Sequence, residues 1–116
     1  MPAESPNAPA KPLSPTAVAV LKAIADGTRY GFDIMDATGL PSGTVYPVLG
    51  RLERQKLVRS RWEAASRAHR EKRPARRYYE ATAAGARALA LSVEHYRLLM
   101  GRPGGIRAPI PKPESR

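Results

Sequence analysis

The sequence has no cysteine, which excludes disulfides, thiolate metal sites and cysteine nucleophiles. Its two histidines, His69 and His95, lie in separate segments, so no histidine metal cluster is expected. No apolar run approaches the roughly 20 residues that span a bilayer. The opening stretch, MPAESPNAPAKPLSP, lacks an apolar secretory core, which predicts a soluble, cytoplasmic protein. No glycine-rich phosphate loop follows a strand, and nothing in the pattern sets a nucleophile beside a base. An enzyme is therefore not expected, and neither a cofactor nor a metal is implied. Acidic residues are scarce: ten Asp and Glu face twenty Lys and Arg, for a net charge of +10. Such an excess attracts a polyanion, either nucleic acid or an anionic membrane surface.

What is present fits one modest domain between two tails in 116 residues. Residues 1–14 hold four prolines among small polar residues and are expected to be disordered. Residues 101–116, GRPGGIRAPIPKPESR, read the same way. Between them, Ser14-Pro15 opens a first helix with Val18, Leu21, Ile24 and Ala25 on one face. A second helix covers Gly31 to Thr38, with Phe32, Ile34 and Met35 as expected core, and Gly39 stops it. A third starts near Thr44, capped by Thr44 or Ser42. Its Val45, Val48, Leu49 and Leu52 form one apolar stripe, with Thr44, Pro47, Arg51 and Arg54 on the other side. Strands are expected over Leu57 to Glu63 and Ala75 to Ala81, joined by a long charged tip. Trp62 is expected to pack on a neighbouring helix. Thr82 caps a last helix to about Met100, in which Leu89, Val93, Tyr96 and Met100 make a heptad-like seam.

Three helices, a hairpin and a final helix make a mainly α fold of winged helix-turn-helix plan. The DNA-binding domain is expected over residues 15–81, with a dimerisation helix over 82–100. In that plan the second helix of the motif, here Ser42 to Gln55, enters a major groove. The charge follows the same division. Between Arg51 and Arg77 there are eleven Lys or Arg and three Glu, a net +8 of the chain's +10. Arg51 and Arg54 are candidate DNA contacts on the helix. Two other readings compete: a non-specific architectural DNA- or RNA-binding protein that works through its basic hairpin, and an interaction module for an acidic protein.

Three segments carry a more specific resemblance: AVLKAIADGTRYGFDIM, GLPSGTVYPVLGRLERQKLVRSRWE and RPARRYYEATAAGARAL. Together they resemble the PadR family of transcriptional regulators, in its short form with a single C-terminal helix. The resemblance implies a homodimer on palindromic double-stranded DNA, usually a repressor of its own or adjacent genes. It places Ser42, Gly43, Thr44, Tyr46 and Pro47 at the groove. It puts Arg73, Arg76 and Arg77 of the wing on phosphates or in the minor groove; strand alternation points Arg77 opposite to Arg76, and at least one of the three is expected to pair with an acid such as Glu63. It assigns the dimer interface to the first and last helices, through Val18, Leu21, Leu89, Val93, Tyr96 and Met100. The first helix offers no aromatic residue for a stacking pocket, so the sequence does not support a small-molecule effector.

Overall fold

Short-range signals set the first helix. In the computed structural model, which describes residues 11–101, α1 (Pro15–Ala25) begins where the Ser14 hydroxyl accepts the Ala17 N–H at 3.2 Å. Pro15 takes the first helical position, where its missing N–H costs nothing. The buried face of α1 is broader than expected. Ala17, Val20, Leu21, Ala23 and Ile24 are buried, whereas Ala25 is exposed and Val18 half-buried. The reason is that α1 is enclosed by several elements, packing on two other helices, the last helix and the hairpin.

α2 (Gly31–Thr38) ends at Gly39, whose φ of 75° only glycine adopts cheaply and whose N–H bonds the Met35 carbonyl. Its core side is Gly31 and Ile34. Phe32, expected in the core, is instead 72% exposed. At 100° per residue it sits about 160° around the helix from Ile34, so both cannot face inward.

α3 (Ser42–Arg54) buries the expected stripe of Val45, Val48, Leu49 and Leu52. It starts two residues earlier than expected. Pro41 is the N-cap, its carbonyl accepts the N–H groups of Thr44 and Val45, and neither Ser42 nor Thr44 caps. Pro47 therefore lies inside the helix rather than in its first turn. It has no N–H to give to the Gly43 carbonyl.

The hairpin is β1 (Val58–Trp62) against β2 (Arg77–Ala81), antiparallel, with Ser60 opposite Tyr79 and Trp62 opposite Arg77. Tyr30 adds an isolated bridge to Tyr78 on the free edge of β2. The strands are shorter than expected, and their tip is no plain loop. It folds into α4 (Ala65–Arg70), which buries Ala68 and ends near Lys72 in the left-handed region.

α5 (Ala83–Gly101) starts where the Thr82 hydroxyl accepts the Gly85 N–H and donates to the Lys56 carbonyl. Gly85 lies so close to the Leu57 backbone that a Cβ there would sit 2.9 Å from the Leu57 carbonyl carbon. One expectation for the N-terminal tail is corrected here. Leu13 is buried, its N–H donates to Ser92 Oγ at 3.0 Å, and its carbonyl accepts from the Tyr96 hydroxyl at 2.8 Å. Residues 11–14 are thereby strapped across α5, because α5 offers a hydroxyl for each polar group of one peptide residue. The remainder of the two expected tails, 1–10 and 102–116, lies outside the described residues.

Candidate nucleic-acid interface

Because Val45, Val48, Leu49 and Leu52 fix which side of α3 faces inward, the opposite side is fixed too. At 100° per residue the positions facing directly away are Gly43, Pro47, Gly50 and Arg54. This outward stripe carries almost no side chain until Arg54, so the helix backbone can come close to whatever it meets. A Cβ on Gly43 would touch nothing within 4 Å, and one on Gly50 would meet only the Arg54 guanidinium at 3.5 Å. Gly50 was missed in the sequence. Its signal was the spacing of Gly43, Pro47, Gly50 and Arg54 at steps of four, three and four.

Two flanks border the stripe. On one lie half-buried Thr44 and exposed Arg51. Arg51 faces the N-terminal strap and lines a cleft of about 570 Å³ with Leu13, Ala17, Val48 and Leu52. On the other lie exposed Ser42, half-exposed Tyr46 and half-buried Glu53, towards the hairpin. The Tyr46 ring rests over Gly31 of α2, since a Cβ on Gly31 would lie 2.7 Å from ring carbons. Tyr46 is thus aimed by α2 as much as by its own helix.

A polar staple joins α3 to the wing. Ser60 donates to Glu53 at 2.7 Å, Arg77 Nε donates to Ser60 Oγ at 2.9 Å, and Arg77 reaches the same Glu53 carboxylate at 3.4 Å. Arg77 therefore sits beside α3, with Trp62 next to it at 5.8 Å from guanidinium carbon to ring centre. Trp62, expected to pack on a helix, is 65% exposed. It is the last residue of β1, directly opposite Arg77 in the hairpin's register.

The tip is organised around one carboxylate. Glu63 has a nearly buried side chain. It receives both terminal nitrogens of Arg73, at 2.6 and 2.9 Å, the Arg76 backbone N–H at 3.2 Å, and an ion pair from Arg67 at 3.5 Å. The Arg73 hydrogen bonds outweigh burial and hold the Glu63 pKa at about 2, against an ordinary 4.5. The same pairing raises Arg73. Arg73 and Arg77 are thus the members of the arginine trio that pair with acids, Glu63 and Glu53 respectively. The Arg73 guanidinium is held within the wing by Glu63, with its side chain 22% exposed. Arg76 lies over the Tyr30 ring at 3.9 Å and is exposed.

The residues expected to dimerise divide. Leu21 is fully buried among α1's neighbours and has no surface to offer, so its expected role is corrected. Leu89 packs on the domain's own core, and Tyr96 is held by Leu13. Val18 is half-buried. Val93 and Met100 are exposed, and with them Leu91, Leu98 and Leu99, which the seam did not include. The C-terminal half of α5 thus leaves several apolar side chains exposed within one chain, beside the side held by Leu13. Among the described residues there is no group of side chains arranged to hold a metal, and no helix is long and apolar enough to cross a membrane.

Comparison with known proteins agrees with this layout. The family described as "Transcriptional regulator PadR-like family" matches residues 20–91. A PadR-like transcription factor from Bacteroides fragilis superposes with a TM-score of 0.60 at 24% identity, covering 72% of this chain and 81% of that one. A Streptococcus transcriptional regulator superposes with a TM-score of 0.62 at 22% identity, covering 78% and 89%. At these identities the two likenesses establish the winged-helix fold. No curated protein matches the chain.

Proposed function

The chain belongs to the PadR-like family of transcriptional regulators, and from that premise we propose that it is a repressor that binds a palindromic operator as a homodimer. One observation carries this reading: the bare outward stripe of α3, Gly43, Pro47, Gly50 and Arg54, flanked by Arg51 on one side and Arg77 on the other. A major groove about 12 Å wide admits a helix whose leading face is small. Ser42, Thr44 and Tyr46 are the side chains at its entry, and Arg54 and Arg51 reach base edges or phosphates further along. Arg77 meets the backbone beside the groove, whereas Arg76 lies over Tyr30 on the other side of the hairpin.

The uncovered apolar residues of α5 support the dimer. A second copy covers Val93 and Met100, seven residues apart on one side of α5, and joins two recognition helices about 34–36 Å apart for successive half-sites. The test is a gel shift with the upstream region of the chain's own gene against unrelated duplex at matched salt. Preference for the upstream region is expected, and equal affinity refutes specific regulation. Val93→Glu is expected to halve the mass by light scattering, because it would bury an unpaired charge. An unchanged mass places the interface elsewhere.

A further inference from the structure

The hairpin has a second cationic face that the operator reading does not use. Side chains alternate along a strand. Val58, Ser60 and Tyr79 turn towards α3 and the core, as the Ser60–Glu53 bond and the burial of Val58 and Tyr79 require. Arg59, Arg61, Tyr78 and Glu80 therefore face the opposite way. There, three arginines converge on one carboxylate: Arg59 at 3.5 Å, Arg61 at 3.9 Å and Arg29 at 4.0 Å from Glu80. Each contact is longer than the 2.7–2.9 Å of a strong charge-assisted bond. Each arginine side chain is more than half exposed. One acid cannot neutralise three guanidinium groups, so the face keeps an excess positive charge that is free to meet an anion.

We propose that this outer face is a separate contact for the backbone of duplex DNA, so that one protein molecule holds two DNA segments, one on α3 and one here. The chemistry of the face selects this partner. Arg59 and Arg61 are two residues apart on a strand, about 6.5 Å, which spans about two base steps of one duplex strand at 3.4 Å each. A protein partner would need aromatic or apolar anchors. The exposed residues of this face, Arg29, Arg59, Arg61 and Arg76, supply none. Single-stranded nucleic acid would need a free aromatic platform for unstacked bases. The Tyr30 ring is already covered by Arg76 and met edge-on by Tyr78, with centroids 6.2 Å apart.

The test is a capture assay with the full chain. A bead-bound duplex of the upstream region is loaded with protein, and a labelled unrelated duplex is added. Arg59→Ala with Arg61→Ala is expected to cut capture of the second duplex at least tenfold, with affinity for the first unchanged within about threefold. Glu80→Gln is expected to raise capture. Gly50→Glu, which blocks the α3 stripe, is expected to retain weak binding to any duplex. Adding the two arginine substitutions to it should weaken that binding further and lower its salt slope by about two. Undiminished capture by the double variant overturns the proposal. So does an equal loss on both duplexes, which makes the face part of the first interface, or a capture lost to labelled polyglutamate binding at the same residues. If Gly50→Glu leaves operator binding intact, the α3 reading fails, while the capture result still decides this one.

Discussion

Replacing Gly50 sets stability and DNA binding against each other. Glycine inside a helix is about 0.8–1.0 kcal/mol less favourable than alanine, and leucine is nearly as good as alanine. Gly50 is the ninth residue of the 13-residue α3, and a Cβ there meets only the mobile end of Arg54 at ordinary contact distance. Gly50→Ala and Gly50→Leu should therefore both stabilise the free protein by about 0.5–1 kcal/mol. For a domain of this size that raises Tm by about 2–8 °C. On DNA the sign reverses. Each added carbon stands on the stripe that meets the groove, so alanine should weaken operator binding a little. Leucine should cost about the worth of a good base contact, 1–3 kcal/mol, or about 5- to 150-fold in Kd. Thermal melts and gel shifts at one fixed salt concentration measure the two effects on the same samples. Operator affinity that stays flat across Gly, Ala and Leu while Tm rises would refute the placement of this face in the groove.

Three other perturbations test the scaffold. Gly85→Ala should destabilise despite the same helix gain, because its Cβ would press on the Leu57 backbone, which cannot rotate away. Overpacking of about 1–3 kcal/mol should lower the midpoint in urea. Ser92→Ala should cost about 1–3 kcal/mol by leaving the buried Leu13 N–H unpaired, and should speed hydrogen exchange at that amide. The depressed pKa of Glu63 means that its pairing stabilises the wing fully above about pH 4.5 and ceases to do so as pH falls through about 2. Protection factors at the α4 amides, which correct for the intrinsic pH dependence of exchange, should fall over that window, and in Glu63→Gln they should already be low at neutral pH and stay flat across it.

The parts of the fold legible in the sequence were those written in local period and capping. The α3 stripe, Ser14-Pro15, Gly39 and Thr82 all act within a few residues of themselves. The parts that were not legible depend on distant partners. The strap at Leu13 is made by hydroxyls 79 and 83 residues away, and no local signal marks them. α4 has six residues and no side-chain cap, and it is held by Glu63 through Arg67 and Arg73 rather than by its own propensity. Phe32 and Leu21 show the limit of hydrophobicity alone. Both are apolar, but only the neighbours of α1 and α2 decide that one is enclosed and the other bare. Of the candidate site, the recognition helix was legible because its inward face is. The staple through Glu53, Ser60 and Arg77, which aims the wing, required the hairpin's register to be known.

The knot of guanidinium groups around Glu63 bears on how the hairpin greets a ligand. A slack tip would mould itself to many surfaces, with ordering of each long side chain costing about 0.5–1.5 kcal/mol on arrival. Here α4 already has its shape, with Arg67 and Arg73 moored before any encounter. Such a tip has less ordering left to do on meeting a ligand than a slack one would, and correspondingly less freedom to change its shape.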